Sequence, residues 1–290
     1  MKRITLLTNP GKCNLHCPLC FLNQRRRGGG KPGMGEMPLD VAKAAIEKYA
    51  SERDACGRRI LLEVIPSTMG EPLLYSQFDG LLELCGTLEI PINLTTNGTF
   101  PGTWGSEDGM AKLLRACSDI KVSYLASEQF DGWKANVKKM LNVRSVLIAG
   151  LTTAKPMPNA RTMGLANVSL QVTLHKRNLK DVPELVPWAS AIGIGRIKWN
   201  PVVFLDEVSF GLREMYEIDS NQLENLRDKL RTELRSQKLE HEGSLFFDRS
   251  AGLCPVGGMC ESCPFEDEVW IWPDGHEDHC PNPERRWGNI

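Results

Sequence analysis

The stretch RITLLTNPGKCNLHCPLC, residues 3–20, joins a short apolar run to a tight group of thiols. Arg3 to Thr8 carries aliphatic and β-branched side chains and reads as a strand, which Pro10 and Gly11 bring to an end. Cys13, Cys17 and Cys20 follow at spacing CxxxCxxC in the loop after that strand. Three thiolates in one loop suit three irons of a cubane cluster and leave the fourth iron open to an outside ligand. A structural zinc site takes four protein ligands, so an open corner suits zinc less well.

Further along the chain, short β-rich runs alternate with amphipathic segments. Candidate strands are Ile60 to Ile65, Ile92 to Thr96, Ile120 to Tyr124, Val168 to Leu174 and Arg196 to Asn200. Between the first two strands, Pro38 to Tyr49 places Leu39, Ala42, Ala45, Ile46 and Tyr49 at helical spacing, with proline early in the helix. Similar patterns recur at Phe78 to Leu84, Met110 to Cys117, Trp133 to Leu141 and Val182 to Ala191. Repeated βα units predict an α/β fold, a partial (βα)6 TIM-like barrel with ligands at the C-terminal strand ends. Gln24 to Gly35, rich in Arg and Gly, reads as a mobile loop, and Leu151 to Gly164 as an irregular insertion. A charged helix at about Ser220 to Glu240 gives way to Gly, Pro, Cys, Trp and acids. The expected boundary near Gly243 divides residues 1–242, the barrel, from 243–290, a small C-terminal iron–sulfur subdomain.

A length of 290 residues suits one large domain with a small appendage, and 41% hydrophobic with 24% charged residues is ordinary for a globular chain. The net charge of −1 gives no general attraction to nucleic acid or an acidic membrane. The opening apolar run is too short for a secretory core, and no later run reaches the roughly 20 apolar residues that span a bilayer. A cytoplasmic protein with neither a nucleic-acid nor a membrane partner is expected. Ten cysteines in such a compartment point to metal binding or catalysis before disulfides. Cys56, Cys85 and Cys117 lie among apolar neighbours and are expected to behave as small buried hydrophobes.

Other motifs follow the later strands. Met69-Gly70-Glu71-Pro72 comes after the second, Thr95-Thr96-Asn97-Gly98 ends the third, and Ser123 stands at the end of the fourth. With CxxxCxxC and in this order, they resemble the radical S-adenosylmethionine (SAM) superfamily. The resemblance implies that Cys13, Cys17 and Cys20 hold a 4Fe–4S cluster whose open iron takes the amino and carboxylate groups of SAM. It implies that Gly70, Glu71 and Pro72 hold the SAM amino group, and that Thr96, Asn97 and Ser123 serve its ribose and carboxylate. One electron from an external reductant of flavodoxin or ferredoxin type would then release a 5'-deoxyadenosyl radical, which abstracts a hydrogen atom from substrate. In such an enzyme the protein positions and shields while the cofactors supply the chemistry. Met69 stands where the family has the first Gly of GGEP. Leu19 stands where many members have an aromatic, which moves the expected adenine packing to Phe21.

Near the other end, Cys254-x5-Cys260-x2-Cys263-x16-Cys280 surrounds Val269 to Trp272 and Pro273-Asp274-Gly275. A strand closed by a Pro-Asp-Gly turn would bring Cys280 back beside the CxxC pair. Spacing alone leaves a zinc ribbon open as an alternative to an iron–sulfur site. The pattern resembles the twitch subdomain, the shortened form of the SPASM extension of radical SAM enzymes. That resemblance implies a second 4Fe–4S cluster on Cys260, Cys263 and Cys280. Cys254 is then either its fourth ligand or a thiol that returns a hydrogen atom to a carbon radical, and the latter role makes an epimerase.

The first strand lies at the very start of the sequence, which tilts the expectation away from ribosomal peptide substrates. Glu261, Glu266, Asp267, Glu268, Asp274, Glu277 and Asp278 crowd the C-terminal unit. Around a barrel mouth they would favour a cationic amino sugar; otherwise they form a solvated surface. In size and cysteine layout the chain resembles small aminoglycoside-modifying members of the family, of the neomycin C epimerase type. The leading expectation is inversion of one carbon in an amino sugar or aminoglycoside, with Cys254 as hydrogen-atom donor. Alternatives are dehydrogenation of an aminocyclitol or sugar alcohol with His276, His279 or Tyr124 as base, modification of a peptide, and a non-catalytic iron–sulfur electron-transfer module.

Overall fold

The computed structural model describes residues 2–20, 23–24, 35–66, 69–125, 130–153, 164–202, 204, 210–246 and 267–278. They fall into two compact units, one drawn from residues 2–16, 20–95 and 267–278, the other from 17–19 and 96–246.

The first unit holds β1 (Arg3–Leu6), α1 (Leu39–Ala50), β2 (Glu63–Pro66), α2 (Phe78–Thr87) and β3 (Ile92–Thr96), with β8 (Glu268–Ile271) and β9 (Glu277–Asp278) from the end of the chain. Helix α1 buries Ala42, Ala45, Ile46 and Tyr49, a single stripe at helical spacing. Its start is set by Pro38, whose ring holds an extended N-cap, and Asp40 and Lys48 sit at the ends that the helix dipole favours. The strands run in the order β3-β2-β1-β8-β9, parallel except for the final hairpin. β8 lies against β1 in the register Arg3↔Glu268 and Thr5↔Trp270. The Pro-Asp-Gly turn forms as expected: Gly275, at φ 86°, donates its N–H to the Trp272 carbonyl at 2.9 Å, and Asp274 Oδ1 accepts from the His276 N–H at 2.9 Å.

The second unit holds α3 (Glu107–Ala116), β4 (Cys117–Tyr124), α4 (Phe130–Thr153), β5 (Asn167–Leu174), α5 (Val182–Ala191), β6 (Arg196–Pro201), α6 (Phe210–Tyr216), α7 (Ser220–Ser236) and β7 (Glu240–Glu242). Strands β4-β5-β6-β7 form a parallel ladder. One face carries Ile120, Val122, Leu170, Val172, Leu174, Ile197 and Trp199, all fully buried. Each contributes roughly 1.5–3 kcal/mol by leaving water. The opposite face is polar, and its N-terminal end is closed by Asp119. That carboxylate pairs with Lys121 at 3.1 Å, accepts from Ser169 Oγ at 3.0 Å and pairs with Arg196. Asp119→Ala leaves two cations beside a buried site and is expected to cost about 3 kcal/mol, read as a lower urea midpoint; an unchanged midpoint would contradict the role.

Several boundaries differ from the sequence reading. Cys117 takes an extended backbone rather than closing a helix, so β4 starts there and α3 stops at Ala116. Helix α4 continues well past Leu141 to Thr153, with Val146 and Ile148 exposed along the way. The helix takes in the first three residues of the expected insertion; residues 154–163, and all of the Arg- and Gly-rich loop but Gln24 and Gly35, lie outside the described residues. Cys85 and Cys117 are buried, and burial pushes the Cys85 thiol up to about 12. Cys56 is a correction: it is exposed in a tight turn where Asp54 Oδ1 accepts the N–H groups of Cys56 at 2.8 Å and Arg58 at 2.9 Å. No described helix is long and apolar enough to cross a membrane.

Candidate active site

In the first unit, the C-terminal ends of β1 and β2 are tied together just before the cysteine loop. Thr8 and Asn9, buried at the end of β1, begin this connection. Asn9 Nδ2 donates to the Glu71 carbonyl at 2.6 Å, and the Glu71 N–H donates to the Lys12 carbonyl at 2.9 Å. Gly70 makes that approach feasible. Its φ is 77°, and a Cβ there would stand 2.3 Å from the Asn9 carbonyl oxygen and 2.7 Å from that of Lys12. Backbone this close admits only glycine. Glu71, 1% exposed, accepts the Leu73 N–H at 3.3 Å and so caps the short turn Pro72–Leu74. Met69 fills an apolar cluster with Leu7 and Trp272, against which Cys20 and Trp270 pack. A side chain at position 69 is thus accommodated, and the glycine that the geometry requires is the second of the pair.

Cys13, Cys17 and Cys20 are each half-buried, and Cys13 Sγ accepts the Leu15 N–H at 3.4 Å. Lys12 pairs with Glu36 at 2.9 Å. Burial pulls the Glu36 carboxyl up, but hydrogen bonds from Lys12 and Ser76 outweigh it and hold the group below its ordinary value. Tyr75 donates its hydroxyl to the Met37 carbonyl at 2.7 Å, and the Met37 N–H in turn reaches the Thr8 carbonyl at 2.7 Å. Burial, with Glu36 and Asp40 nearby, pushes the Tyr75 phenol up to about 12 from 10.0. A raised folded value favours the neutral phenol, so its stabilisation is full below pH 10.0 and is lost as pH rises toward about 12. Tyr75→Phe is expected to flatten that alkaline loss of stability; equal alkaline slopes for both chains would contradict it.

In the second unit, the turn after β3 is held with similar economy. Thr96 is buried and its hydroxyl accepts the Gly98 N–H at 3.3 Å, while Asn97 Oδ1 accepts the Thr99 N–H at 2.9 Å. Gly98, at φ 79°, has no room for a Cβ beside Val122 and Trp133. Trp133 Nε1 donates to the Ser123 carbonyl at 2.9 Å and fixes the end of β4. Leu19 is buried with Phe204, Leu212 and Tyr216. The polar face of the ladder continues past the Asp119 network as a half-buried row, Ser123↔Gln171↔Lys198↔Glu242 in strand register, with Thr173↔Asn200 one step nearer the C-terminal ends.

The acids of the C-terminal segment are mostly committed within the chain. Glu268 is buried and accepts from Thr5 Oγ1 at 2.6 Å; Glu277 pairs with Lys48 at 2.7 Å and accepts from the Tyr49 hydroxyl at 2.9 Å. Asp267 pairs with Lys2, and Asp274 caps the hairpin turn. Asp267, Asp274 and Glu277 keep exposed surface beside these contacts, and among the described acids of the segment Glu268 is the buried one. Tyr124 is likewise a packing residue, buried against Phe130 and Trp133 with its hydroxyl donating to Asp181 at 2.5 Å. His276 is exposed on the turn. Phe21, Cys254, Cys260, Cys263, Cys280, His279, Glu261 and Glu266 lie outside the described residues.

Asn9 and the Gln171–Lys198 row escaped the sequence reading. A polar residue at the close of a strand and period-two polarity along Ser169, Gln171 and Thr173 were the available signals. Among the described residues, no three His, Cys, Asp or Glu side chains form a ready-made metal site. The loop nonetheless carries the donor chemistry of a thiolate-held cluster: three half-buried cysteines within eight residues, anchored at Lys12 by the Gly70–Glu71 backbone.

No family model matches this sequence, and no curated protein matches it. Solved structures share the fold. Streptococcus suis SuiB bound to S-adenosylmethionine superposes with a TM-score of 0.66 at 15% identity over 96% of this chain and 60% of SuiB. The protein anSMEcpe with bound AdoMet gives 0.64 at 13% identity over 97% of this chain and 75% of its own. The chain therefore spans about 60% of the length of SuiB. At these identities the likeness is one of fold, a mixed α/β architecture built on mostly parallel strands.

Proposed function

We propose that this chain is a radical SAM enzyme. The observation that carries the reading is the backbone junction of Lys12 with Gly70–Glu71, which ties the CxxxCxxC loop to the GEP segment in a fold also seen in SAM-bound SuiB. Cys13, Cys17 and Cys20 are assigned to a 4Fe–4S cluster. Gly70, Glu71 and Pro72 are assigned to the SAM amino group, Thr96, Asn97 and Ser123 to its ribose and carboxylate, and Phe21 to adenine. Bound there, cluster and SAM supply, with one electron from a flavodoxin- or ferredoxin-type donor, a 5'-deoxyadenosyl radical that takes a hydrogen atom from substrate. The chain's part is to hold the base of the loop through Asn9 and Gly70.

The finer reading is inversion of one carbon in an amino sugar. Cys254 gives its thiol hydrogen atom to the carbon radical from the opposite face, and an electron and a proton then restore the thiol. Cys260, Cys263 and Cys280 are assigned to a second 4Fe–4S cluster within residues 243–290. What supports this is the resemblance to aminoglycoside-modifying enzymes in size and cysteine layout. A second reading, peptide modification, is favoured by a specific observation: SuiB has also been solved with its precursor peptide SuiA, and anSMEcpe with a Kp18Cys peptide. Anaerobic turnover in heavy water with amino sugars and short peptides tests both. Unchanged product mass apart from one deuterium supports inversion, and loss of two hydrogens supports dehydrogenation instead. Cys254→Ala is expected to keep both clusters and SAM cleavage but lose inversion; loss of second-cluster iron would make Cys254 a ligand. A chain that never cleaves SAM under dithionite would be an electron-transfer module.

A further inference from the structure

We infer that Trp270 and Trp272, from the far end of the chain, form an apolar wall that controls solvent access to the cluster at Cys20. The inference rests on the radical SAM reading and adds to it a residue role outside the motifs. Trp272 is 4% exposed and forms one buried cluster with Leu7 and Met69, and both Cys20 and Trp270 pack against that cluster. The wall is held from two sides. β8 is hydrogen-bonded alongside β1, where the Leu7 N–H reaches the Ile271 carbonyl at 2.9 Å, and the hairpin fixes Trp272 by its N–H to the His276 carbonyl at 2.9 Å. Leu19, one residue before Cys20, has no part in this wall, since it is buried with Phe204 and Tyr216 instead.

Cluster reduction adds one negative charge to a centre already surrounded by thiolates. An apolar neighbour disfavours that charge and keeps water away from the sulfur, so it sets both the potential and the lifetime of the centre. Opening the wall admits water, stabilises the reduced state and makes the midpoint potential less negative.

The test uses the reconstituted full-length holoprotein and reads the reduced paramagnetic signal that shifts on adding SAM, which isolates this cluster from any other in the chain. Trp272→Ala and Trp270→Ala are expected to move its midpoint to less negative values in a dithionite titration. They should also speed its loss in air on the order of tenfold, the scale at which outer groups affect metal centres. Trp272→Phe should stay close to the parent, because the ring still closes the wall. Trp188→Ala, which removes an indole tilted against Trp133 in the other unit, is the control for general destabilisation and should leave potential and lifetime unchanged. Alanine variants indistinguishable from the parent, or an equal effect from Trp188→Ala, overturn the inference while the radical SAM reading stands. A parent protein with no SAM-responsive signal overturns both.

Discussion

Cys17→Ala is expected to abolish the SAM-responsive cluster and, with it, reductive cleavage of SAM. Three thiolates are the smallest set that holds a cubane with one iron open, and removing one leaves two donors for three irons. Loss should exceed the roughly 10–100-fold penalty typical of removing an outer partner of a metal centre. Iron per chain, visible absorption and deoxyadenosine formation under dithionite report it together. Cys85→Ala is the matched contrast. Cys85 is buried on α2 with its thiol held protonated by burial, so its loss should lower stability by about 1 kcal/mol through a small cavity and leave the cluster in place. Equal iron content in the two variants would contradict the assignment of Cys17.

Gly70→Ala is expected to be the most damaging single methyl in the first unit. A side chain at positive φ costs about 1–2 kcal/mol, and overpacking typically costs a further 1–3 kcal/mol. Here the obstacles are the carbonyls of Asn9 and Lys12, backbone atoms that cannot swing aside as a flexible side chain would. To relieve the contact the Glu71–Lys12 bond must lengthen, which loosens the base of the cysteine loop. The variant should therefore unfold at a lower urea concentration, by about 2–5 kcal/mol, and bind SAM more weakly than its stability loss alone explains. Parent-like urea midpoint and SAM affinity would show that the loop does not depend on this junction.

Most of the parallel strands were legible because their signal is local. Ile92 to Thr96 coincides with β3, and Arg196 to Asn200 falls one residue short of β6, since apolar side chains of period two mark a half-buried strand wherever it pairs. Helix α1 was legible for the corresponding reason at period 3.6. The placement of β8 on β1 was not, because a pairing between Thr5 and Trp270 leaves no trace in either segment alone. The acids show the same limit. Glu268 and Glu277 look like free surface charge in a string of residues; only the approach of Thr5 shows Glu268 to be buried, and only that of Lys48 and Tyr49 shows Glu277 to be paired at the surface. At the site, Cys13, Cys17, Cys20, Gly70 and Asn97 belong to contiguous motifs. Asn9 acts through a hydrogen bond to a residue far along the chain, and its role emerges only when both strand ends are in view.

Every role proposed above depends on the CxxxCxxC loop holding a cluster with one iron left open for SAM. Oxygen-free reconstitution, reduction with dithionite and addition of SAM, followed by electron paramagnetic resonance, tests it most directly. The expected result is a reduced iron–sulfur signal that changes on SAM addition, with deoxyadenosine formed. A chain that takes up only zinc, or whose signal is indifferent to SAM, would contradict it.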